Sequence, residues 1–397
     1  MRLGGVQLVR RTAARNMRAL SSSGSDDKRQ LEVLEVRGRA CVEVKGKDVL
    51  KFMQGLCTTD MAELPMPVRA TVFLNPKGRV IAEGFLYGRP GPADGDGKED
   101  AVLVEVDAQS APALVQMMKV YKLRSKVKIA VLGPHKVSLL VPDADQGQST
   151  DGGGGVAAMV RRAMGQVQAQ TAGWGEEDVL VAAWDPRVPN FGVRVVMSAD
   201  DEEEEEDQRQ QQAGGGHDAY KAYRIAQGVA EGVEVEDRIP LECNMDFLNH
   251  VDFRKGCYVG QELTARTKFK GVVRKRIVPF VCVGRERPAD GALDFMQAVQ
   301  TAPDGAVPAA HAAAGSKVLA LQAGDTEPKS VGTVLSLADD GASGLALLRL
   351  AAVTAPDAAL VVAPLEEYEG EVRQEFILPH RPSWWPEVDP ITEKPLF

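Results

Sequence analysis

From about Leu31 onward, apolar and polar residues alternate in short orderly runs that predict a mixed α+β chain. Val68–Leu74 and Arg79–Tyr87 are rich in strand-favouring residues. Asn75-Pro76-Lys77-Gly78 between them has the composition of a turn, so the two runs predict a hairpin. Ala101–Asp107 predicts another strand, and Leu114, Val115, Met118 and Tyr121 recur at helical spacing within Ala111–Lys122. Lys126–Leu132 and Lys136–Val141 predict two further strands, and Asp218–Ala230 predicts a helix on the register of Tyr220, Tyr223, Ile225 and Ala226. Beyond residue 275 the texture changes to short apolar runs separated by Gly, Pro and Asp: Arg276–Val283, Lys317–Gln322, Val331–Leu337, Leu345–Leu350, Leu360–Pro364 and Val372–Leu378. Six such runs at this spacing predict a small closed or partly closed β-barrel.

Length and charge refine this layout. A chain of 397 residues suggests two or three domains. Residues 1–24 form a segment of their own, because Arg2, Arg10, Arg11, Arg15 and Arg18 occur there with no acid at all. Val6, Val9, Ala13, Met17 and Leu20 follow one another at three- and four-residue steps, which completes the composition of an organellar transit peptide. The expected destination is the mitochondrial matrix, with the chloroplast as the other organelle such an address serves. Taking those five arginines away deepens the net charge from −9 to about −14, a poor balance for wrapping nucleic acid through its phosphates. No apolar run reaches the ~18–20 residues that span a bilayer, so no membrane insertion is expected. Residues 30–274 are expected to form an α+β region of two subdomains. Disordered insertions are expected at 89–98, at the Gly-rich 146–155, and at 199–217, where eight consecutive acids repel one another. The barrel is expected over 275–382, followed by a tail, 383–397, tucked onto the surface by Trp384 and Trp385.

The chemistry concentrates in Phe253–Arg266. Gly256 and Gly260 bracket Cys257, which permits a tight turn with backbone close to a bound group. Glu262 and Arg266 are spaced i,i+4, which places the start of a helix near Gly260. Cys257 then precedes a helix N-terminus, with Arg254 and Lys255 beside it in sequence, a setting that favours a thiolate. Gln261 and Glu262 are placed to orient a polar ligand or the thiol, and His250, seven residues earlier, is the histidine nearest to it. Cys41, Cys57 and Cys282 sit in apolar or strand-like contexts and read as small core residues, whereas the polar neighbours of Cys243 leave its role open. Five scattered cysteines without a C-x-x-C argue against a disulfide scaffold or a structural zinc site.

Lys255-Gly-Cys-Tyr-Val-Gly-Gln-Glu262 resembles the signature of the YgfZ family. Phe52–Asp60, Leu74–Val80, Arg224–Gly228, Ile239–Glu242, Arg274–Arg276, Val331–Val334 and Gly344–Leu348 resemble its flanking blocks. The resemblance implies the fold of the T-protein aminomethyltransferase, α+β with three domains around a central pocket and a small C-terminal barrel. It also implies assistance to the assembly of [4Fe–4S] proteins, together with an A-type (IscA-like) scaffold protein and recipient apoproteins. Cys257 would be a ligand of a transient shared Fe–S cluster or a redox thiol, supported by Lys255, Gly256, Tyr258, Gly260, Gln261, Glu262 and Arg266. A tetrahydrofolate-like pocket would draw on Asp60, Asn75, Arg224 and Glu242, with Tyr258 able to stack on a pteridine. The alternative function is tetrahydrofolate-dependent transfer of an aminomethyl or methyl unit. Against it, the transferase's Gly-Gly-Ile-x-Asp-Asp block reads Gly78-Arg79-Val80-Ile81-Ala82-Glu83 here, leaving Glu83 as the available carboxylate.

Overall fold

The computed structural model describes residues 31–61, 68–89, 100–142, 179–199, 218–284, 312–321, 328–355, 359–363 and 375–388. Residues 1–24 and most of the three expected insertions lie outside these. Arg89, expected in the first insertion, is the last residue of a strand, and Ala199, expected in the third, donates its N–H to Pro134 O at 3.0 Å. The chain divides into two units, Met1–Thr71 with Gly84–Gly215, and Val72–Glu83 with Gly216–Phe397.

From Leu31 to Ser198 the elements run in the order β1 (Leu31–Glu35), β2 (Arg39–Lys45), α1 (Val49–Gln54), β3 (Arg69–Leu74), β4 (Val80–Arg89), β5 (Ala101–Asp107), α2 (Ala111–Lys122), β6 (Lys128–Val131), β7 (His135–Pro142), β8 (Val179–Trp184) and β9 (Val193–Ser198); the end of β3 from Val72 and the start of β4 up to Glu83 belong to the second unit, the rest to the first. The strands form a five-stranded sheet, β3-β4-β5-β2-β6, and a four-stranded sheet, β1-β7-β9-β8. The central strand β5 reads as an almost unbroken apolar run because Ala101 to Val106 are all buried. α2 begins with Pro112 in its first turn, where a missing N–H costs nothing. It buries Ala111, Leu114, Met117 and Met118, whereas Val115 and Tyr121 of the expected face are only half-buried.

Glu105 interrupts the apolar run of β5 and is fully buried. It accepts hydrogen bonds from Arg39 Nε at 2.9 Å, Arg194 Nη2 at 2.6 Å and the Tyr87 hydroxyl at 2.7 Å. Burial by itself would raise its pKa, but Arg194 and then Arg39 outweigh burial and hold the carboxyl at about 2. Arg187 closes on Asp185 with bonds of 3.0 and 2.8 Å, and Arg194 and Arg187 lie 4.3 and 4.8 Å from the centre of the Phe85 ring.

The second unit contains α3 (Ala219–Ala226), 3-10 turns at Gly232–Glu234 and Pro240–Cys243, α4 (Gln261–Lys270), β10 (Lys275–Gly284), β11 (Lys317–Leu321), β12 (Lys329–Leu337), β13 (Ser343–Arg349), α5 (Leu350–Val353), β14 (Ala359–Val362) and β15 (Glu375–Pro379). The six strands close into a barrel in the order β10-β13-β12-β11-β14-β15, each pair antiparallel. Val278, Phe280 and Cys282, alternate residues of β10, point into the barrel core, as period-two alternation requires. Gly344, opposite Phe280, leaves that ring its space: a Cβ there would lie 2.6 Å from the ring edge.

Three expectations are corrected. α3 ends at Ala226 rather than Ala230, because Gly228 turns into the left-handed region at φ +70°. Leu350 opens α5 instead of closing a strand. Trp385 does not lie on the surface but is 3% exposed within the barrel's core cluster, edge-on to Phe247 at 5.8 Å, while Trp384 donates to Gln227 O at 2.8 Å.

Candidate functional site

Within the second unit the segment 253–260 is pinned by close backbone approaches. Gly260 caps α4 at φ +80°, and a Cβ there would meet Asn75 O at 2.5 Å and Leu74 Cβ at 2.7 Å. Gly78, at φ +78°, faces the same junction: its Cβ would lie 2.5 Å from Leu263 Cβ. Two glycines far apart in sequence therefore let the first turn of α4 sit on the tip of the β3–β4 hairpin. Gly256, by contrast, has open space where a Cβ would stand, so crowding does not require a glycine there. Asn75 is built into the hairpin tip, accepting from Lys77 N at 2.9 Å and Arg79 N at 3.1 Å through its side-chain oxygen.

Cys257 is exposed, whereas Cys41, Cys57 and Cys282 are 0% and Cys243 1% exposed. Burial pushes the Cys243 and Cys282 thiols up to about 12, so they stay protonated at neutral pH. The expected neighbours of Cys257 divide between packing and surface. Tyr258 is buried in the cluster of Val72, Leu74, Ile225, Met245 and Ile277, and Lys255, also buried, directs its ammonium at the Tyr258 ring 5.1 Å away. Gln261 is half-buried, while Glu262 and Arg266 are exposed on α4. His250 faces Glu83, with Nε2 3.9 Å from Oε2, and both residues are buried. Glu83 also accepts from Gly232 N at 3.4 Å.

Of the residues assigned to a folate-like pocket, Arg224 is buried and holds both oxygens of Glu234 at 2.8 Å. Burial lowers its pKa, and the Glu234 carboxylate more than restores it, so the net direction is upward. Asp60 belongs to the first unit and accepts from Gln54 Nε2 at 2.8 Å. Glu242 lines a cleft of about 560 Å³ together with Arg266, a lining that sequence reasoning did not bring together. Arg276, which carried no assigned role, is buried and clamps Asp246 with bonds of 2.9 and 3.0 Å while donating to Leu241 O at 2.9 Å. That clamp ties the Pro240–Cys243 turn to β10. Among the described residues no group of three or more His, Cys, Asp or Glu is arranged to hold a metal ion, and no helix is long and apolar enough to cross a membrane.

The family profile described as CAF17, C-terminal beta-barrel domain matches residues 274–387. A protein of Aspergillus clavatus named iron-sulfur cluster assembly factor IBA57 homolog, mitochondrial, is 32% identical over 335 residues, covering 80% of this chain and 69% of that one. The chain belongs to the IBA57 family. IBA57 homologues of the same name from Mycosarcoma maydis and Aspergillus fumigatus are each 34% identical, over 68% and 64% of this chain. Those alignments span 62% and 58% of the relatives' lengths, about three fifths of each. Glycine cleavage system aminomethyltransferase T of Bartonella henselae superposes with a TM-score of 0.56 at 12% identity, over 96% of this chain and 90% of that chain. At that identity the IBA57-family chain shares its fold alone, and the α+β, aminomethyltransferase-like expectation with a C-terminal barrel is met.

Proposed function

We propose that this protein assists iron–sulfur protein maturation in mitochondria by offering Cys257 as one thiolate ligand to a cluster whose other ligands a partner supplies. The name shared by its relatives supports the process and the compartment. The single observation that carries the site is the exposure of Cys257 while the other four cysteines are buried. A cluster commonly needs four thiolates, and one reachable thiol can contribute only one. On binding iron the thiol gives its proton to solvent, and the cluster is cargo rather than a resident group. The likeness of residues 255–262 to the YgfZ signature supports an A-type scaffold as the partner and [4Fe–4S] apoproteins as recipients. The test is complementation of cells lacking the protein, read as [4Fe–4S] enzyme activity. Wild type restores activity, and Cys257→Ser, expressed at equal level, restores less than about a tenth of it; full rescue by the serine variant overturns the assignment.

A second function, one-carbon transfer to or from tetrahydrofolate, is favoured by one observation: Glu83 is buried beside His250 in an aminomethyltransferase-like fold. The assigned pocket residues do not fit that cofactor well. The Asn75 side-chain oxygen is spent on its turn and the Arg224 guanidinium on Glu234, which leaves neither aimed at a pterin. Turnover of an aminomethyl donor with tetrahydrofolate, lost in Glu83→Gln and kept in Cys257→Ser, would establish this function instead.

A further inference from the structure

We propose that the cleft at the C-terminal end of α4 is a docking surface for an acidic, leucine-like apolar segment of a partner protein; this rests on the proposed function only in assuming that the chain works through a partner. Five cations line the cleft: Arg266 and Lys270 from α4, Arg274 and Lys275 at the entry to β10, and Arg349 at the end of β13. Glu242 is the one acid lining it. This local excess runs against the whole chain, in which 56 acidic residues outnumber 47 Lys and Arg.

Like charges drawn from three elements into one cleft repel, and an anionic partner relieves that repulsion while steering its own approach. The lining also offers an exposed apolar side chain, Val272, 78% exposed; Phe269, outside the lining on α4, is 56% exposed and sets its ring edge-on to Phe253 at 6.1 Å. Exposed side chains of this size beside cations suit a segment that alternates carboxylates with aliphatic residues. A long polyanion such as RNA fits less well, because the chain as a whole carries a net charge of −9, cleft included.

The placement serves the thiol. Gln261 to Lys270 spans about 14 Å at 1.5 Å per residue, and Cys257 stands just before the first turn. A standard interface of about 800 Å² per partner covers both ends of such a helix. A protein gripping the last turn of α4 therefore has its own surface within reach of Cys257.

The probe is a fluorescently labelled synthetic peptide of interspersed glutamate and leucine, titrated with the full chain. Binding is expected to weaken as salt rises. Lys270→Glu combined with Arg274→Glu should weaken it about tenfold or more, and Val272→Ser several-fold. Lys119→Glu, exposed on α2, and Cys257→Ser should bind as wild type does. The substituted positions in the cleft are all exposed, and unchanged thermal unfolding of the variants confirms that folding is intact. Absence of binding, or cleft variants that bind like wild type, overturns the proposal. So does a single-stranded RNA or tripolyphosphate that competes as well as the peptide, which would make the cleft a general anion site. Because Cys257→Ser keeps the cleft, rescue by that variant in cells would sink the thiol's role without touching this measurement. Failed peptide binding would leave the thiol's role standing.

Discussion

At the scale of single residues, the costliest commitment in the first unit is Glu105. An ion inside a sheet carries a desolvation penalty of several kcal/mol unless its partners are well placed. Here two guanidinium groups and a phenol meet one carboxylate. Glu105→Gln leaves those guanidinium groups short of a counter-charge and should cost about 3–5 kcal/mol at neutral pH, measured by urea unfolding. The pH dependence has a definite sign. The folded carboxyl titrates at about 2 and the ordinary value is 4.5, so its contribution is complete above pH 4.5 and is lost as pH falls from there toward 2. That contribution is on the order of 3 kcal/mol. The gap in stability between wild type and Glu105→Gln should therefore narrow at pH 3, and a gap that stays constant would contradict the burial of an ionised group.

At the scale of elements, α4 depends on its two glycine contacts. Gly260→Ala must place a Cβ against Asn75 O while holding a positive φ, and should cost at least about 2 kcal/mol, seen as a lower unfolding midpoint. An equal substitution at Gly256, which has open space, should cost far less. The contrast shows what the chain discloses before it folds. A glycine pair around Cys257 and a helix beginning near Gly260 are local features, as are the hairpin, α2 and the six barrel runs, and all were readable from spacing. Which of the two glycines bears the close approach was not, because the atoms it meets belong to Leu74 and Asn75. The Glu83–His250 pair was hidden for the same reason, being 167 residues apart; the cleft was half legible, since four of its five cations lie within residues 266–275 and only Arg349 and the Glu242 wall come from elsewhere in the chain. β1, β2, α1, β8 and β9 were not read from the sequence at all, although Asp185–Gly192 between the last two strands has the composition of a turn.

At the scale of the whole molecule, the barrel is larger than its strands. The expected boundary after residue 382 would cut Trp385 away from Phe247 and the barrel core. Trp385→Ala should destabilise the second unit by about 3–5 kcal/mol, and a chain ended at residue 383 should unfold at a correspondingly lower temperature. The family profile reaches residue 387, beyond this tryptophan.

The seclusion of four of the five cysteine sulfurs also sets how these molecules can join. A disulfide between two copies uses up the one reachable sulfur on each and leaves neither with a handle for a third. Peroxide treatment should therefore stop at covalent pairs, without the ladder of higher species that a second accessible sulfur would build. The chain behaves, in the chemist's sense, as monovalent.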